Sequence, residues 1–279
     1  MNNQQSRKIQ RPWQDLVNNW DILASPGRPS VWEIKLYEQW AKPHLRKGAN
    51  VLLLGSTPEL RDMLAKHDCK VVVVDNNLSM IEGMVKYVKR KPKNEIWVKT
   101  DWLKAPLKEK YFDLVLGDFV LSNLPYTAHD QFLKRIKNWL KPNGSFITRI
   151  ESFKDYYQTM SIAKLVKLCR NKPFDKKTIN YFWNSGNWFT RPIKTKEAAI
   201  GEFWQKLQRY LAKNKEPKIR RLLEKSGFLF PLDKVWFTYM EKDLTKLLNK
   251  YFVLSNKKND PKLNMYYPDY GEIYRLKHK

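Results

Sequence analysis

The sequence predicts a doubly wound α/β fold with a helical elaboration. Five apolar runs of strand length alternate with amphipathic helical patterns between residues 50 and 150. The runs are continuous in their apolar residues, as is typical of strands that are buried on both faces of a parallel sheet. Right-handed crossovers bring the carboxyl ends of such strands to one edge, where ligands bind in this class of fold.

The first predicted helix follows an irregular lead-in. Ser30 is placed to cap it, and Glu33 has the capping-box position. Apolar residues between Ile34 and Trp40 recur at helical spacing, and Pro43 ends the pattern.

The alternating region that follows has turn residues at each junction. Thr57 is a candidate cap for the second helix, with Pro58 at its first position. In chain order we predict a strand over 50–55, a helix over 57–67, a strand over 70–75, a helix over 77–91, strands over 95–101 and 111–118, a helix over 127–144 and a strand over 145–150.

Residues 151–235 break this alternation and are predicted to form a helical cap. Long basic amphipathic helices flank the aromatic stretch 181–189. This stretch either forms the core of the cap or stacks on a base or an aromatic substrate. The alternation resumes with a predicted helix over residues 235–251 and strands over 252–258 and 271–279.

We therefore predict three parts of the chain. They are an α/β core with an N-terminal helical lead-in over residues 1–150, a cap over 151–235, and a return to the core over 236–279.

The composition of the 279-residue chain limits the classes to which it can belong. No apolar run approaches the roughly 20 residues that cross a bilayer, and the polar N-terminus lacks the apolar core of a signal peptide. Cys69 and Cys169 have neither metal nor disulfide spacing, which indicates a reducing, cytoplasmic location. The net charge of +25 favours an anionic partner, although a generally solvated lysine-rich surface accounts for it equally well.

Successive strands deliver a glycine or a carboxylate to the same predicted edge. Gly55 closes the first strand, Asp75 ends the second, Asp101 follows the third and Asp118 ends the fourth. An acid after the second strand can accept both hydroxyls of a ribose, and the amides of residues 56–58 suit a carboxylate or phosphate. A carboxylate after the third strand can meet the exocyclic amine of adenine. A single aspartate at a strand end is a routine turn residue, whereas the whole set favours an adenosine-type ligand.

At these positions the sequence resembles a known family. The stretches VLLLGSTPEL, VVVVDNNLSMIEGM, VKTDWL and YFDLVLGDFVLSNLP, closed by LKPNGSFITRI, resemble the ordered motifs of class I S-adenosylmethionine-dependent methyltransferases. The resemblance covers residues 30–150, and the last helix and two strands resemble the family's terminal antiparallel hairpin. It implies a mostly parallel seven-stranded sheet of order 3-2-1-4-5-7-6, with the cap inserted after strand five. It also implies S-adenosylmethionine as cofactor and transfer of its methyl group to an acceptor.

The resemblance further implies roles for individual residues. Gly55 and Ser56 would pass close to the methionine part of the cofactor, and Asp75 would hold the ribose. Asp118 and Phe119 would lie beside the reactive methyl. The other implied contacts are those of Asn76 and Met80 with the adenine side, and of Asp101 and Trp102 with the adenine amine and ring.

The first loop departs from the family pattern. The family commonly has two or three glycines there, whereas this chain has Gly55-Ser56-Thr57-Pro58, and Pro58 offers no N–H to a carboxylate. Arg28 is our candidate to compensate, although a solvated loop arginine is an equal alternative. A dehydrogenase is the nearest competing interpretation, but it would need the second and third glycines and does not call for Asp101 or Asp118.

No acid–base residue stands out, and the candidates for a catalytic role are Asp118 and Tyr126. The tetrapeptide Asn123–Tyr126 (NLPY) resembles the signature of adenine-N6 methyltransferases. That signature starts directly at the end of strand four, a place that belongs here to Asp118, so we interpret the tetrapeptide as a loop. The histidines show no metal spacing, no metal site is predicted, and we interpret His129 as a surface residue.

Three functions remain open from the sequence. The favoured one is methyl transfer to a small molecule that the cap encloses. The cap's charge and aromatic content favour a structured RNA as acceptor instead, but no RNA-binding module is appended and the charge is spread along every helix. The third is a module that binds S-adenosylmethionine or nucleic acid without catalysis. No membrane partner is expected, and the sequence does not indicate an oligomeric state.

Overall fold

The fold consists of a large mixed sheet with helices on both faces and a helical region that follows the fifth strand. The computed structural model describes residues 13–14, 16–193, 197–226, 232–263 and 265–279. The strands are β1 (Asn50–Leu54), β2 (Lys70–Asp75), β3 (Asn94–Lys99), β4 (Phe112–Asp118), β5 (Leu140–Phe153), β6 (Glu197–Ala199), β7 (Val235–Phe237), β8 (Tyr239–Met240), β9 (Phe252–Lys258) and β10 (Gly271–His278).

The helices lie between these strands. They are α1 (Val31–Ala41), α2 (Pro58–Leu64), α3 (Leu78–Met84), α4 (Tyr126–Trp139), α5 (Ile162–Arg170), α6 (Lys176–Phe189), α7 (Ile200–Lys213), α8 (Pro217–Ser226) and α9 (Glu241–Leu248), with short 3₁₀ turns at Lys42–His44, Val85–Tyr87 and Leu121–Asn123.

The sheet has the predicted topology. Its strand order is β3-β2-β1-β4-β5-β10-β9, and the short β8 pairs with the end of β5. β1 to β5 run parallel, whereas β10 is antiparallel to both β5 and β9. With β9 and β10 as the sixth and seventh strands, this is the order 3-2-1-4-5-7-6, so the predicted fold class is confirmed. The carboxyl ends of β1, β2 and β4 therefore meet at one edge.

The first helix begins where the sequence predicts. The Ser30 side chain accepts from the Glu33 backbone N–H at 3.1 Å, and the Glu33 carboxylate accepts from the Ser30 N–H at 2.6 Å, which completes a capping box. Tyr37 on this helix is fully buried against the sheet. Its hydroxyl donates to the carbonyl of Gly117 on β4 at 2.8 Å. The helix is thereby tied to the strand that ends at the cavity described below.

The helix predicted over residues 235–251 is wrong in its first part. Val235–Phe237 forms β7, which pairs antiparallel with β6, and Tyr239–Met240 forms β8 on β5. Only Glu241–Leu248 is helical. The apolar residues before Glu241 are β-branched or aromatic and find strand partners, which outweighs their helical spacing.

The helices α5 to α8 pack around the aromatic stretch 181–189. This stretch lies on α6 and is buried along its whole length, with Phe182, Trp183 and Phe189 fully enclosed. Of the two interpretations that the sequence left open, the structure agrees with the core one. The same apolar cluster includes Val17 and Trp20 from the N-terminal segment. The helical region therefore holds that segment in place beside the sheet edge.

None of the helices in the described parts of the chain combines the length and hydropathy needed to cross a membrane.

Candidate functional site

A cavity of about 250 Å³ opens at the carboxyl edge of β1, β2 and β4. It is lined by all the residues predicted to contact the cofactor except Arg28. These are Gly55, Ser56, Asp75, Asn76, Met80, Asp101, Trp102, Asp118 and Phe119. The sheet topology explains this convergence, because each of these residues lies at or just after the end of a neighbouring parallel strand or in the turn that follows.

Asp75 is the most enclosed carboxylate on the β2 side of the cavity, with an exposed fraction of 7%. Its Oδ2 accepts from the Ser56 hydroxyl at 3.1 Å, and its Oδ1 accepts from the Asn77 N–H at 2.9 Å. Burial raises the pKa of Asp75 to about 6, although these hydrogen bonds oppose the shift. The carboxylate is therefore held in a fixed orientation and is ionised at neutral pH.

Gly55 makes the turn from β1 into the cavity. Its φ is +86°, a conformation that side chains with a Cβ rarely adopt. A Cβ built there would lie 3.8 Å from the Trp102 ring, an ordinary contact, so the backbone conformation and not crowding requires glycine. The Trp102 indole donates to the Val74 carbonyl at 2.8 Å, and its ring stacks on Phe132. This fixes one flat wall of the cavity.

Arg28 does not line the cavity. Its guanidinium forms an ion pair with Glu59 at 2.7 Å and also donates to the Trp20 carbonyl at 3.1 Å. The Trp20 indole donates to the same Glu59 carboxylate at 3.1 Å. The charge of Arg28 is thus used to attach the N-terminal segment to α2, and its position does not support the expected contact with the cofactor's carboxylate.

Asp118 lines the cavity at the end of β4, but both of its carboxylate oxygens are occupied. Arg149 on β5 donates to them at 2.6 and 2.9 Å in a bidentate pair, and the two side chains are 0% and 7% exposed. The same guanidinium donates to Glu33 at 2.8 and 2.9 Å. Burial opposes the charge of Arg149, but Asp118 and Glu33 more than offset it and raise the pKa of Arg149. The pair fixes the position of Asp118 at the cavity wall, and because each carboxylate oxygen can accept more than one hydrogen bond, its candidate catalytic role stays a prediction.

Phe119 follows directly and has a strained backbone, with φ at +51°. Its ring lies 4.1 Å from the Arg149 guanidinium carbon. The Arg149 guanidinium thus holds both the Asp118 carboxylate and the Phe119 ring in their positions at the cavity wall. Neither Arg149 nor the second role of Glu33 was predicted from the sequence; the available signal was an arginine within the continuously buried part of β5, residues 144–153.

Tyr126, the second catalytic candidate, does not line the cavity. Its hydroxyl accepts from the Thr238 N–H at 3.0 Å and donates to the Thr238 carbonyl. Burial raises the pKa of Tyr126 to about 12, which disfavours proton transfer at neutral pH. The geometry therefore gives Tyr126 the task of connecting α4 to the segment between β7 and β8.

His129 is buried, with an exposed fraction of 1%, so its interpretation as a surface residue is wrong. Its Nε2 lies 2.9 Å from the carbonyls of Leu121 and Leu124, which makes this nitrogen the donor, and its Nδ1 lies 2.6 Å from the Tyr239 hydroxyl. Burial lowers the pKa of His129 and so favours the neutral ring. The histidine satisfies the carbonyls of the loop that precedes α4.

That loop contains the NLPY tetrapeptide, and its structure agrees with the loop interpretation, with α4 beginning at Tyr126. Asn123 and Leu124 nevertheless line the cavity. The Asn123 amide donates to the Phe119 carbonyl at 2.9 Å and accepts from Lys234 Nζ at 2.9 Å. The amide oxygen and nitrogen are thus both engaged within the protein.

The cover of the cavity comes from two segments that the sequence did not indicate. Trp13, Leu16 and Trp20 line it from the N-terminal side, and Lys234 and Trp236 line it from the segment that contains β7. No residue of α5 to α8, as far as these helices are described, contributes to the lining. Helices α5 to α8 instead pack against the N-terminal segment that covers the cavity. No pattern around Lys234 could have identified it from the sequence.

Among the described residues, no group of three His, Cys, Asp or Glu side chains is placed to hold a metal ion.

Comparisons with known proteins bear on the same region. The family profile described as "Methyltransferase domain" matches residues 54–148, which contain β2 to β4, α2 to α4 and most of β5. No protein of curated function matches the sequence significantly.

Several solved structures share the fold. A Rhodobacter sphaeroides protein described as a candidate zinc-dependent alcohol dehydrogenase has a TM-score of 0.59 at 15% identity, with 100% of both chains covered. The 1,6-didemethyltoxoflavin-N1-methyltransferase of Burkholderia thailandensis, solved with 1,6-didemethyltoxoflavin and S-adenosylhomocysteine, has a TM-score of 0.51 at 13% identity, covering 88% of this chain and 78% of that one. The N-methyltransferase NodS of Bradyrhizobium japonicum WM9, solved with S-adenosylhomocysteine, has a TM-score of 0.50 at 13% identity, covering 96% and 99%.

At these identities the structural likenesses establish the fold, which dehydrogenases share in part. The glycine pattern does not suit a dinucleotide, because Gly55 is followed by Ser56 and Thr57 where a pyrophosphate loop needs further glycines. The family match covers the strand ends that form the cavity. Residues 54–148 thus match the methyltransferase-domain profile, and the sheet has the strand order that the resemblance to class I S-adenosylmethionine-dependent methyltransferases implies.

Proposed function

We propose that the cavity binds S-adenosylmethionine across the ends of β1 to β4 and transfers its methyl group to a small molecule. The observation that carries this proposal is the convergence of Gly55, Asp75, Asp101 and Phe119 on one cavity. When bound, the cofactor supplies an activated methyl group on its sulfonium. The remaining work, which is binding, alignment and exclusion of water, is done by the residues of the chain.

The donor set of the cavity fits this cofactor. The Asp75 carboxylate is held by Ser56 and by the Asn77 N–H in a position where it can accept from both ribose hydroxyls. The Asn77 side-chain nitrogen is buried and has no hydrogen-bond partner among the described residues. A buried amide without a partner is costly, so a ligand acceptor atom there stabilises the site. Met80 and Trp102 offer apolar surface to a purine.

Asp101 has a more limited role than Asp75. Its Oδ1 accepts from the Leu103 N–H at 2.7 Å, which turns the chain after β3. The second oxygen is left to accept from the exocyclic amine of an adenine. We propose that Asp101 contributes to base recognition while Asp75 carries most of the polar binding energy.

A small acceptor suits the enclosure of the cavity. Trp13 and Trp20 line one side of the cavity and Trp236 lines the other, and the cavity has a volume of about 250 Å³. The structural neighbour from Burkholderia thailandensis was solved with 1,6-didemethyltoxoflavin and S-adenosylhomocysteine bound. We propose that residues 151–235 serve as the cap that holds this cover, and that the enzyme acts in the cytoplasm, where Cys69 and Cys169 stay unpaired.

A structured RNA is the second candidate acceptor, because the chain has a net charge of +25. Salt dependence separates the two candidates. Several phosphate contacts would make RNA affinity fall by orders of magnitude between about 50 and 200 mM salt. Tight, structure-selective RNA binding at physiological salt would favour the RNA acceptor, whereas weak binding that vanishes with salt leaves the small molecule.

Calorimetry with S-adenosylhomocysteine tests the cofactor site. We expect binding by the wild-type protein and an affinity at least tenfold lower for Asp75→Ala, because the ribose loses its acceptor. Asp130→Ala is the matched control, since this exposed aspartate pairs with Lys250 far from the cavity and its loss leaves the affinity unchanged. Equal affinities for wild type and Asp75→Ala would show that the cofactor lies elsewhere.

Turnover of methyl-labelled S-adenosylmethionine with fractionated cell extract tests catalysis. Transfer of label to a fraction of low molecular mass supports the proposal. Label in RNA supports the second candidate, and the absence of labelled product from every fraction would favour a module that binds the cofactor without catalysis.

A further inference from the structure

Lys234 is a half-buried cation in the wall of the cavity. It belongs neither to the proposed cofactor contacts nor to the ion pair of Asp118. Its Nζ donates to the Asn123 side-chain oxygen at 2.9 Å. It also lies 4.7 Å from the ring centroids of both Trp13 and Trp236. No ion pair joins it to any carboxylate among the described residues. Burial lowers the pKa of Lys234 to about 8, and the nearby Asp233 opposes the shift without cancelling it.

The position of Lys234 relates it to the reactive end of the cavity. A single amide, that of Asn123, connects it to the carbonyl of Phe119. Phe119 is one of the two residues, with Asp118, that the family resemblance places beside the transferred methyl. The adenosine side, by contrast, is formed by Asp75 and Asp101, which line the cavity from the ends of β2 and β3. Lys234 is therefore connected to the Phe119 side of the cavity.

From this arrangement, and on the basis of the proposed function, we infer that Lys234, Trp13 and Trp236 form the acceptor subsite. We propose that it takes a planar aromatic or heteroaromatic molecule bearing an anionic oxygen. The ammonium pairs with the oxygen, and the indole rings contact the plane of the acceptor.

Charge explains why an anion suits this position. An ammonium has three N–H donors, of which the structure engages one, with a neutral acceptor. A half-buried cation without a carboxylate partner is destabilised, and a ligand anion removes that penalty through a charge-assisted hydrogen bond. The sulfonium of the bound cofactor adds a second positive charge to the same cavity, which increases the preference for an anionic acceptor.

The aromatic walls explain why a planar body suits it. The two indole rings flank a cation that each attracts through its π face. A flat ring brought in by an acceptor contacts the indole rings beside the ammonium and buries apolar surface. The leucine side chains that line this part of the cavity, Leu16 and Leu124, add apolar contact without hydrogen-bonding competition.

Matched pairs of probes test the subsite: indole-3-carboxylate against indole-3-carboxamide, salicylate against salicylamide, and quinoline-2-carboxylate against quinoline-2-carboxamide. Each pair differs in charge and little in shape. Affinities are measured by calorimetry and ligand-observed NMR with the protein saturated in S-adenosylhomocysteine. For the wild-type protein we expect at least one acid to bind tenfold or more tightly than its amide.

Variants separate the two parts of the subsite. Lys234→Met should reduce the acid-to-amide ratio to about one, and Trp236→Leu should weaken both members of a pair by similar factors. Lys66→Met, which removes an exposed lysine that pairs with Glu38, is the control and should leave the ratio unchanged. If Lys234→Met does not fold, the wild-type comparison of acids and amides decides alone.

Equal affinity for acid and amide in all three pairs, or no probe binding by a wild-type protein that binds S-adenosylhomocysteine, would overturn the acceptor proposal and leave the proposed function intact. Unchanged acid preference in Lys234→Met would overturn it too. Failure to bind S-adenosylhomocysteine at all would instead refute the proposed function, and the acceptor proposal would fall with it.

Discussion

Arg149 of β5 and Asp118 at the end of β4 form a bidentate ion pair in which the two side chains are 0% and 7% exposed. Glu33 of α1 binds the same guanidinium while its backbone and side chain complete a helix cap. One arginine thus connects the first helix to the two strands beside the reactive end of the cavity. The ion pair orients Asp118 and supports Phe119 beside the cavity.

The first prediction concerns this ion pair. Arg149→Met should destabilise the protein by about 3–5 kcal/mol, because it removes the cation that pairs with the Asp118 and Glu33 carboxylates. Lys66→Met removes only a surface pair with Glu38 and should cost about 1 kcal/mol or less. Urea unfolding of the three proteins measures both values. A loss below about 1 kcal/mol for Arg149→Met would contradict the buried arrangement.

The second prediction concerns the pH dependence of cofactor binding. The pKa of Asp75 is about 6 in the free protein, and the ribose hydroxyls donate to its ionised form. The affinity for S-adenosylhomocysteine should therefore fall as the pH drops through about 6, by roughly tenfold between pH 7 and pH 5. Calorimetry across this range measures the slope.

Asp75→Asn is the control for the second prediction. It should bind more weakly at pH 7 and show a flat profile down to pH 5, because it has no carboxylate to protonate. A slope that persists in Asp75→Asn would assign the titration to another group.

The sequence identified the sheet and its functional edge because both depend on local patterns. Continuous apolar runs predict strands of a parallel sheet. The residues at successive strand ends can be located without any knowledge of distant contacts; they are Gly55, Asp75, Asp101 and Asp118. The shared edge of the cavity follows from these patterns and from right-handed crossovers, whereas the strand order was implied by the family resemblance.

The residues that cover the cavity, and the hydrogen bonds that hold its walls, depend on contacts between residues that are distant in sequence, which no local pattern predicts. Trp13 and Lys234 are more than 200 residues apart in the sequence, and they meet because the N-terminal segment packs with the helical region. His129 lies at helical spacing from the buried Phe132, Leu133 and Ile136, but no local pattern shows that its ring donates to the carbonyls of the preceding loop. The residues before Glu241 have helical periodicity, but pairing with β5 and β6 makes them strands β7 and β8.

The third prediction separates backbone strain from ligand approach. Gly55 and Gly48 both have a positive φ, +86° and +73°, at opposite ends of β1. Alanine at either position should cost about 1–2 kcal/mol of stability, because a Cβ disfavours this conformation. Only Gly55→Ala should also weaken S-adenosylhomocysteine binding, by roughly tenfold, since Gly48 lies away from the cavity.

Thermal unfolding and calorimetry on the two glycine variants check the third prediction together. Comparable stability losses with divergent affinities support the turn after β1 as part of the cofactor site. Equal affinities for the two variants would place the cofactor away from Gly55.

The last prediction concerns Glu151, a fully enclosed carboxyl near the end of β5 that accepts a hydrogen bond from Ser122. Burial raises the pKa of Glu151 to about 8, while the Ser122 hydroxyl and Arg149 oppose the shift and Asp118 adds to it. A folded-state pKa above the unfolded one means that the folded protein holds this proton more tightly. The associated stability is present below about pH 4.5 and is lost as the pH rises through about 8.

Glu151→Gln should therefore be more stable than the wild-type protein at pH 9, by on the order of 3 kcal/mol, and its stability should change less between pH 5 and pH 9. The amide keeps an acceptor for Ser122 and cannot ionise, which removes the cost of a buried charge at high pH. Glu82→Gln, at an exposed position on α3, should follow the wild-type pH profile. Urea unfolding at several pH values measures the difference, and parallel profiles for wild type and Glu151→Gln would show that Glu151 does not titrate in this range.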